Sequence, residues 1–121
     1  MAHQVIAIVD DIFFASKIRG TAEQAGVSVT FPRSTDAAFA AAKEAGTALI
    51  ICDLNASKVD PFELARKMKQ EAATAGVPLL GFFAHVQTDL QRQAVEAGFD
   101  RVVPRSVFAK DLTEIINGNF K

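Results

Sequence analysis

The feature that most constrains the fold of this chain is a repeated change from helical to extended spacing, marked by the dipeptide Ala-Gly. The dipeptide occurs at 25–26, 45–46, 75–76 and 97–98. Each copy closes an alanine- and charge-rich stretch with helical spacing, and an apolar run follows within a few residues. Glycine just past a helix end adopts the left-handed conformation that lets the chain turn away. The pattern of helix, glycine and strand therefore indicates successive βα units.

Five apolar runs are predicted to be strands: Gln4–Val9, Val27–Phe31, Ala48–Cys52, Pro78–Phe83 and Arg101–Pro104. The third and fourth, ALIIC and LLGFF, are apolar throughout, which is typical of strands covered by helices on both faces. Strands alternating with helices give a parallel sheet with right-handed crossovers. We expect residues 1–121 to form a single α/β domain, a flavodoxin-like doubly wound fold with helices on both faces and strand order 2-1-3-4-5.

Start signals mark several of the predicted helices, including the third and the last. The segment DPFE at 60–63 places a capping aspartate, a proline at the first helical position and a returning glutamate. Ser106 is the predicted cap of one last helix, whose apolar face contains Phe108, Leu112, Ile115 and Ile116.

Composition excludes several classes of function. The net charge is −1, so the chain lacks the basic excess that nucleic acid or an anionic membrane requires. Its one cysteine, Cys52, forms no internal disulfide, which fits a reducing, cytoplasmic setting. No segment approaches the roughly 20 apolar residues that span a bilayer, and the start MAHQV lacks the basic region of a signal peptide. We expect a cytoplasmic protein with no nucleic-acid or membrane partner.

Three aspartates follow strands that the expected topology makes neighbours. Asp10 and Asp11 end the first strand, and Asp53 ends the third. Ligands of this fold bind beyond the carboxyl ends of these two strands, where the strand order reverses. Each aspartate alone is explained as a solvated turn residue. Three carboxylates that meet repel one another, and a hard divalent cation such as Mg²⁺ relieves that repulsion.

With the acidic pair, the strand-3 aspartate, the length and the βα alternation, the whole chain resembles the receiver domain of two-component response regulators. The resemblance implies that Asp53 accepts a phosphoryl group from a histidine kinase or histidine phosphotransfer protein. It implies that Asp10, Asp11 and Asp53 bind magnesium together with the backbone carbonyl of Asn55. It also implies a signalling module and not an enzyme, a monomer or weak dimer.

The chain departs from the receiver pattern where that family transmits its signal. Phe83 stands where receivers usually end strand 4 in threonine or serine, and its ring either lies near the acceptor or packs in the core. Ala84 follows and would contact the phosphoryl group through its backbone. Val102 replaces the aromatic switch residue. Arg105 stands in for the usual lysine, as a phosphate clamp or as a solvent-facing arginine. His85 is a modulator of dephosphorylation or a surface histidine.

Three alternatives to a phosphorylated receiver follow from these residues. The same fold could serve as a pseudo-receiver, a docking module without regulated phosphorylation. LIICDLN faintly resembles the aspartate-nucleophile phosphatases, but these need Asp-x-Asp and the second slot holds Asn55. A flavodoxin would need a loop rich in Ser, Thr and Gly after the first strand, whereas DDIFFA is acidic and apolar.

Overall fold

The structure is a computed structural model that describes residues 4–44, 46–84 and 88–119. Its strands form one sheet in which every described pair is parallel, in the order β2-β1-β3-β4-β5, as predicted. The strands are β1 (Gln4–Ile8), β2 (Ser28–Thr30), β3 (Thr47–Asp53), β4 (Leu79–Phe83) and β5 (Arg101–Pro104). The predicted strands are thus confirmed to within a residue or two at each end.

Helices cover both faces of this sheet, which confirms the doubly wound fold. They are α1 (Ile12–Ala25), α2 (Thr35–Ala42), α3 (Pro61–Gln70), α4 (Thr88–Ala97), α5 (Arg105–Lys110) and α6 (Leu112–Ile116). Alternate strand residues enter two core layers. The α2/α3/α4 layer contains Phe83 and Leu64, and the α1/α5/α6 layer contains Phe82 and Phe108. Because both faces are buried, β3 and β4 are apolar along nearly their whole length.

The pairing of β1 with β3 determines which residues meet at the carboxyl edge. Ile8 lies beside Cys52, so the residues after β1 emerge next to the end of β3. On the other side of β3, Asp53 pairs with Phe82 of β4. The carboxyl ends of the first and third strands are therefore adjacent, at the point where the strand order reverses.

The predicted cap of α3 is confirmed, and so is the glycine stop of α1. Asp60 Oδ1 accepts hydrogen bonds from the backbone N–H groups of Phe62 (3.0 Å) and Glu63 (3.1 Å). Gly26 has φ of 73° and ends α1 in the left-handed conformation. Its N–H donates to the carbonyl of Ala22, a contact that a Cβ-bearing residue would reach only with backbone strain.

The prediction of one last helix capped by Ser106 is wrong. The chain passes from β5 into α5 without a loop, so Pro104 is the capping residue and no side chain caps the helix. Ser106 already lies inside α5, where its hydroxyl is past the capping position. Asp111, with φ of −97° and ψ of 11°, then separates α5 from α6.

The helix before Ala75-Gly76 also ends earlier than predicted. Glu71 is extended, so α3 stops at Gln70. The buried hydroxyl of Thr74 donates to the carbonyl of Met68 at 2.8 Å, and the same carbonyl accepts the N–H of Glu71 at 3.3 Å. A side chain, and not a glycine, completes the end of this helix.

A search of the described helices finds none with the length and apolar character of a membrane span.

We predict that Gly81→Ala destabilises the fold by about 1–3 kcal/mol, because a Cβ there overpacks a filled core. Such a Cβ would lie 2.9 Å from Leu54 Cδ2 and 3.1 Å from Phe99 Cδ2, both buried. Gly20→Ala is the matched control, since nothing lies within 4 Å of its Cβ position in α1. It should stabilise the protein by about 0.5–1 kcal/mol. Urea unfolding followed by circular dichroism measures both changes; a G81A protein as stable as wild type would contradict this packing.

Candidate functional site

The three predicted aspartates lie together at the carboxyl edge of the sheet. Asp53 is the last residue of β3 and is half-buried. Asp10 is exposed in the turn after β1, and Asp11 immediately precedes α1. The negative charges of Asp10 and Asp11 both act on Asp53, which shows that the fold brings the carboxylates within electrostatic reach of one another.

Asp53 has a carboxyl group whose charged form is disfavoured. Burial is the main cause that raises its pKa, and the charges of Asp10 and Asp11 raise it further. Two effects oppose the rise: the N–H of Asn55 donates to Oδ1 at 2.9 Å, and the positive charge of Arg105 lies nearby. Among the described residues, Oδ2 of Asp53 has no hydrogen-bond donor. Within the described part of the chain, the side chain is therefore oriented through Oδ1 alone.

Asp10 is oriented by Ser57, a residue that no sequence motif marks. The backbone N–H of Ser57 donates to Asp10 Oδ2 at 2.8 Å, and its hydroxyl donates to the same oxygen at 3.0 Å. The backbone hydrogen bond is the main cause that lowers the pKa of Asp10, and the charge of Lys58 contributes. Ser57 lies in the loop after Asp53. The sequence marks it only as a hydroxyl-bearing residue close to Asp53.

The side chain of Asp11 both caps a helix and forms an ion pair. Its Oδ1 accepts from the N–H groups of Phe13 (2.9 Å) and Phe14 (3.2 Å), so Asp11 is the N-cap of α1. Its Oδ2 accepts from Nη2 of Arg105 at 2.8 Å, and this contact is the main cause that lowers the pKa of Asp11. Of the two interpretations of Arg105, the structure shows the arginine directed to the acidic edge and not out to solvent.

The guanidinium of Arg105 also lies over an aromatic ring. Its Cζ is 4.4 Å from the ring centroid of Phe14, a cation–π geometry. Phe14 in turn contacts Phe82 and Phe108, with centroid separations of 5.3 Å and 5.5 Å, and those two rings stack at 4.5 Å. The cation at the site therefore rests on rings of the α1/α5/α6 core layer.

The remaining predicted residues occupy different places. Phe83 is 4% exposed and packs in the α2/α3/α4 layer, so its ring is core and does not line the site. Ala84 is exposed directly after β4, and Val102 is half-buried against the same layer as Phe83. Asn55 is exposed two residues beyond Asp53. His85 lies outside the described residues.

The donor set has the chemistry that Mg²⁺ binds. It consists of carboxylate oxygens and a backbone carbonyl, which a hard cation prefers, and a cationic group, Arg105, already lies against it. In the parts of the chain that are described, no group of three or more His, Cys, Asp or Glu is arranged to hold a metal ion. Both oxygens of Asp11 accept hydrogen bonds, whereas among the described residues Asp10 is bonded through Oδ2 alone, so Asp10, Asp53 and the Asn55 carbonyl are the groups that could hold a metal ion with the least competition.

Comparison with known proteins now places the chain in a family. The profile of the response regulator receiver domain matches residues 5–117. The chain therefore belongs to the response regulator receiver domain family, the signalling modules of two-component systems. No curated protein matches it significantly.

Solved structures show the same fold at low sequence identity. A response regulator from Hahella chejuensis has a TM-score of 0.84 at 20% identity, covering 99% of this chain and 96% of that one. A chemotaxis response regulator of Vibrio cholerae has a TM-score of 0.80 at 19% identity, with 97% and 98% covered. The receiver domain of a sensor histidine kinase from Pseudomonas aeruginosa PAO1, with magnesium coordinated in its active site cleft, has a TM-score of 0.81 at 15% identity, with 97% and 96% covered.

We predict that Asp53→Asn raises the melting temperature by about 1–3 °C at pH 7. Because the folded-state pKa of Asp53 is raised, its charge destabilises the fold above that pKa and has no such effect below the unfolded value. The gain should therefore vanish as the pH falls below about 4. Thermal unfolding at several pH values tests this, with the exposed Asp36→Asn as control; an equal gain in both variants would contradict the prediction.

We also predict that Ser57→Ala raises the pKa of Asp10 towards its ordinary value. The rise is partial, because the variant keeps the backbone N–H that has the larger effect. Carboxyl ¹³C NMR titration measures it. Ser34→Ala is the control, since that serine caps α2 and does not touch Asp10; an Asp10 pKa unchanged in S57A would count against the assigned role of the hydroxyl.

Proposed function

We propose that this chain is a phosphoacceptor receiver domain in which Asp53 accepts a phosphoryl group from a histidine kinase or histidine phosphotransfer protein. One observation carries the proposal. A half-buried carboxylate at the end of β3 is oriented through Oδ1, and it lies within electrostatic reach of two further carboxylates and a guanidinium. Such a cluster supports phosphoryl transfer, which needs mainly positioning and charge stabilisation.

The proposed step uses the uncommitted oxygen of Asp53. A bond forms between Oδ2 and phosphorus while the bond between phosphorus and the donor histidine nitrogen breaks, and the electron pair returns to that nitrogen. The Asn55 N–H fixes the other oxygen at 2.9 Å, so the carboxylate presents one defined nucleophile. The product is an acyl phosphate on Asp53.

Magnesium is part of the proposal, with Asp10, Asp11, Asp53 and the carbonyl of Asn55 as its ligands. When bound, Mg²⁺ masks the charges of the carboxylates and of the incoming phosphoryl group. Ser57 holds Asp10 through two hydrogen bonds. The fork of donors on Arg105 suits phosphoryl oxygens and supplies the second positive charge at this edge, and the backbone of exposed Ala84 is a further contact.

A protein is the proposed donor, because large apolar side chains are exposed beside the site. Ile12 and Phe13 are 80% and 89% exposed and directly follow Asp11 at the edge that a donor must approach. Apolar and aromatic side chains are enriched in the centres of protein interfaces. We infer a cytoplasmic signalling module, a single domain and monomer or weak dimer, that is neither an enzyme nor a binder of nucleic acid or membranes.

A pseudo-receiver remains the second candidate, and the positions that would transmit phosphorylation favour it. Phe83 and Ala84 present no side-chain hydroxyl to a phosphoryl group, and the ring of Phe83 is buried in the core. Val102 has no ring to move between two positions. A domain built this way could dock to partners without a phosphorylation-dependent change.

We predict that acetyl phosphate modifies the protein on Asp53 in a Mg²⁺-dependent reaction. The cluster lowers the charge barrier only when a cation is present, so chelation should abolish the modified species. Acyl phosphates are labile, and a phosphate-affinity gel run cold displays them. Wild type and Asp36→Asn should show a slower band, and Asp53→Asn should show none.

The same assay separates the alternatives. A band that is absent from wild type, together with no magnesium binding, would establish the pseudo-receiver and contradict phosphorylation. Continuous release of free phosphate from small phosphomonoesters would instead indicate a phosphatase. Beryllofluoride with Mg²⁺ provides a stable second test, since NMR shifts around Asp53 should appear in wild type and be missing in D53N.

A further inference from the structure

Arg105 is the first residue of α5 and lies directly against an acidic residue of the candidate cation site. Its Nη2 donates to Asp11 Oδ2 at 2.8 Å, and the two side chains are 36% and 39% exposed. Asp11 Oδ1 is already occupied by the N–H groups at the start of α1. Both oxygens of this carboxylate are therefore engaged by the protein itself.

The guanidinium is held in that position from a second side. Cζ lies 4.4 Å from the ring centroid of Phe14, and that ring is 8% exposed. Phe14 packs against the stacked rings of Phe82 and Phe108, so it offers a firm surface for the cation. An ion pair fixed by such a ring is worth more than the same pair between two mobile surface side chains, because less side-chain entropy is lost.

A guanidinium and a divalent cation both neutralise the charge of a carboxylate. They cannot bind the same carboxylate oxygen in the same direction at once. A cation that binds Asp11 through Oδ2 must displace Nη2, and one that binds elsewhere in the cluster still meets the repulsion of the guanidinium.

We propose that Arg105 is a built-in counter-ion that competes with divalent cations for Asp11, so that Mg²⁺ binding moves the guanidinium off Oδ2. The inference rests on the proposed function, because it concerns the cation site named there. It makes Arg105 a residue that sets the magnesium concentration at which the domain becomes competent. Its role differs from that of a phosphate ligand, since it acts before any phosphoryl group arrives.

Calorimetric titration with Mg²⁺ alone, at fixed ionic strength, tests the proposal. Arg105→Gln removes the charge and should bind Mg²⁺ about 3- to 10-fold more tightly than wild type. Arg105→Lys retains a charge and should stay closer to wild type. Arg19→Gln is the matched control: that arginine also lies over a phenylalanine, with Cζ 4.9 Å from the Phe31 ring, and should leave the affinity unchanged.

A second readout follows the guanidinium directly. In wild type the side-chain ¹⁵N–¹H signal of Arg105, assigned by its loss in R105K, should shift on Mg²⁺ addition, and that of Arg19 should not. This readout needs only wild type and R105K to fold, so it decides the matter even where R105Q unfolds. An unmoved Arg105 signal in magnesium-saturated protein would overturn the proposal.

The titrations also distinguish the two levels of inference. Equal affinity in wild type and R105Q, or weaker binding by R105Q, overturns competition and leaves the proposed cation site intact. Absence of Mg²⁺ binding in every variant overturns the magnesium site itself, and competition with it. Tighter binding by R105Q together with a moving Arg105 signal supports both.

Discussion

Repulsion among three carboxylates at one sheet edge is the constraint on which the site depends. The parallel pairing of β1 with β3 forces the ends of both strands together, so Asp10, Asp11 and Asp53 meet whatever the surrounding loops do. The protein offsets the repulsion differently at each residue. Ser57 donates two hydrogen bonds to Asp10, Arg105 pairs with Asp11, and Asp53 receives a single backbone hydrogen bond. Among the described residues, Asp53 is thus the aspartate of the three that accepts the fewest hydrogen bonds.

The site residues contact the two core layers unequally. Arg105 rests on Phe14, and so the cation is connected to the α1/α5/α6 layer. The positions at which receivers usually register phosphorylation, here Phe83 and Val102, pack in the opposite layer. Under the proposed function, a change at the acidic edge would reach α1 and α5 through Arg105 and Phe14, whereas in β4 and β5 Phe83 carries no hydroxyl and Val102 carries no ring.

Much of this could be predicted from the sequence, because strands and their order follow from apolar runs and glycine stops. The meeting of Asp10 with Asp53 follows from topology alone. The partner of Arg105 could not be predicted, since the pair joins residues 94 positions apart and depends on where α5 begins. The break between α5 and α6 at Asp111 could not be predicted either, because the apolar face continues through it and only the backbone changes direction.

Hydrogen bonds made by serine and threonine side chains in loops could not be predicted from the sequence either. Ser57 donates to Asp10, which lies 47 positions away in the sequence. The hydroxyl of Thr74 donates to the carbonyl of Met68 near the end of α3. Serine and threonine in loops make such contacts without any periodic pattern that would announce them.

Leu54, the residue after Asp53, has a consequence for the proposed phosphoryl transfer. Leu54 is 3% exposed and fills the space over Gly81 that a Cβ would occupy. Its N–H donates to the carbonyl of Phe82 at 2.9 Å, so the backbone beside Asp53 is fixed in the core on both counts. Under the proposed function, Asp53 would lose little motional freedom on reaching the transition state, and the reaction would draw its entropic advantage from the packing of the neighbouring leucine.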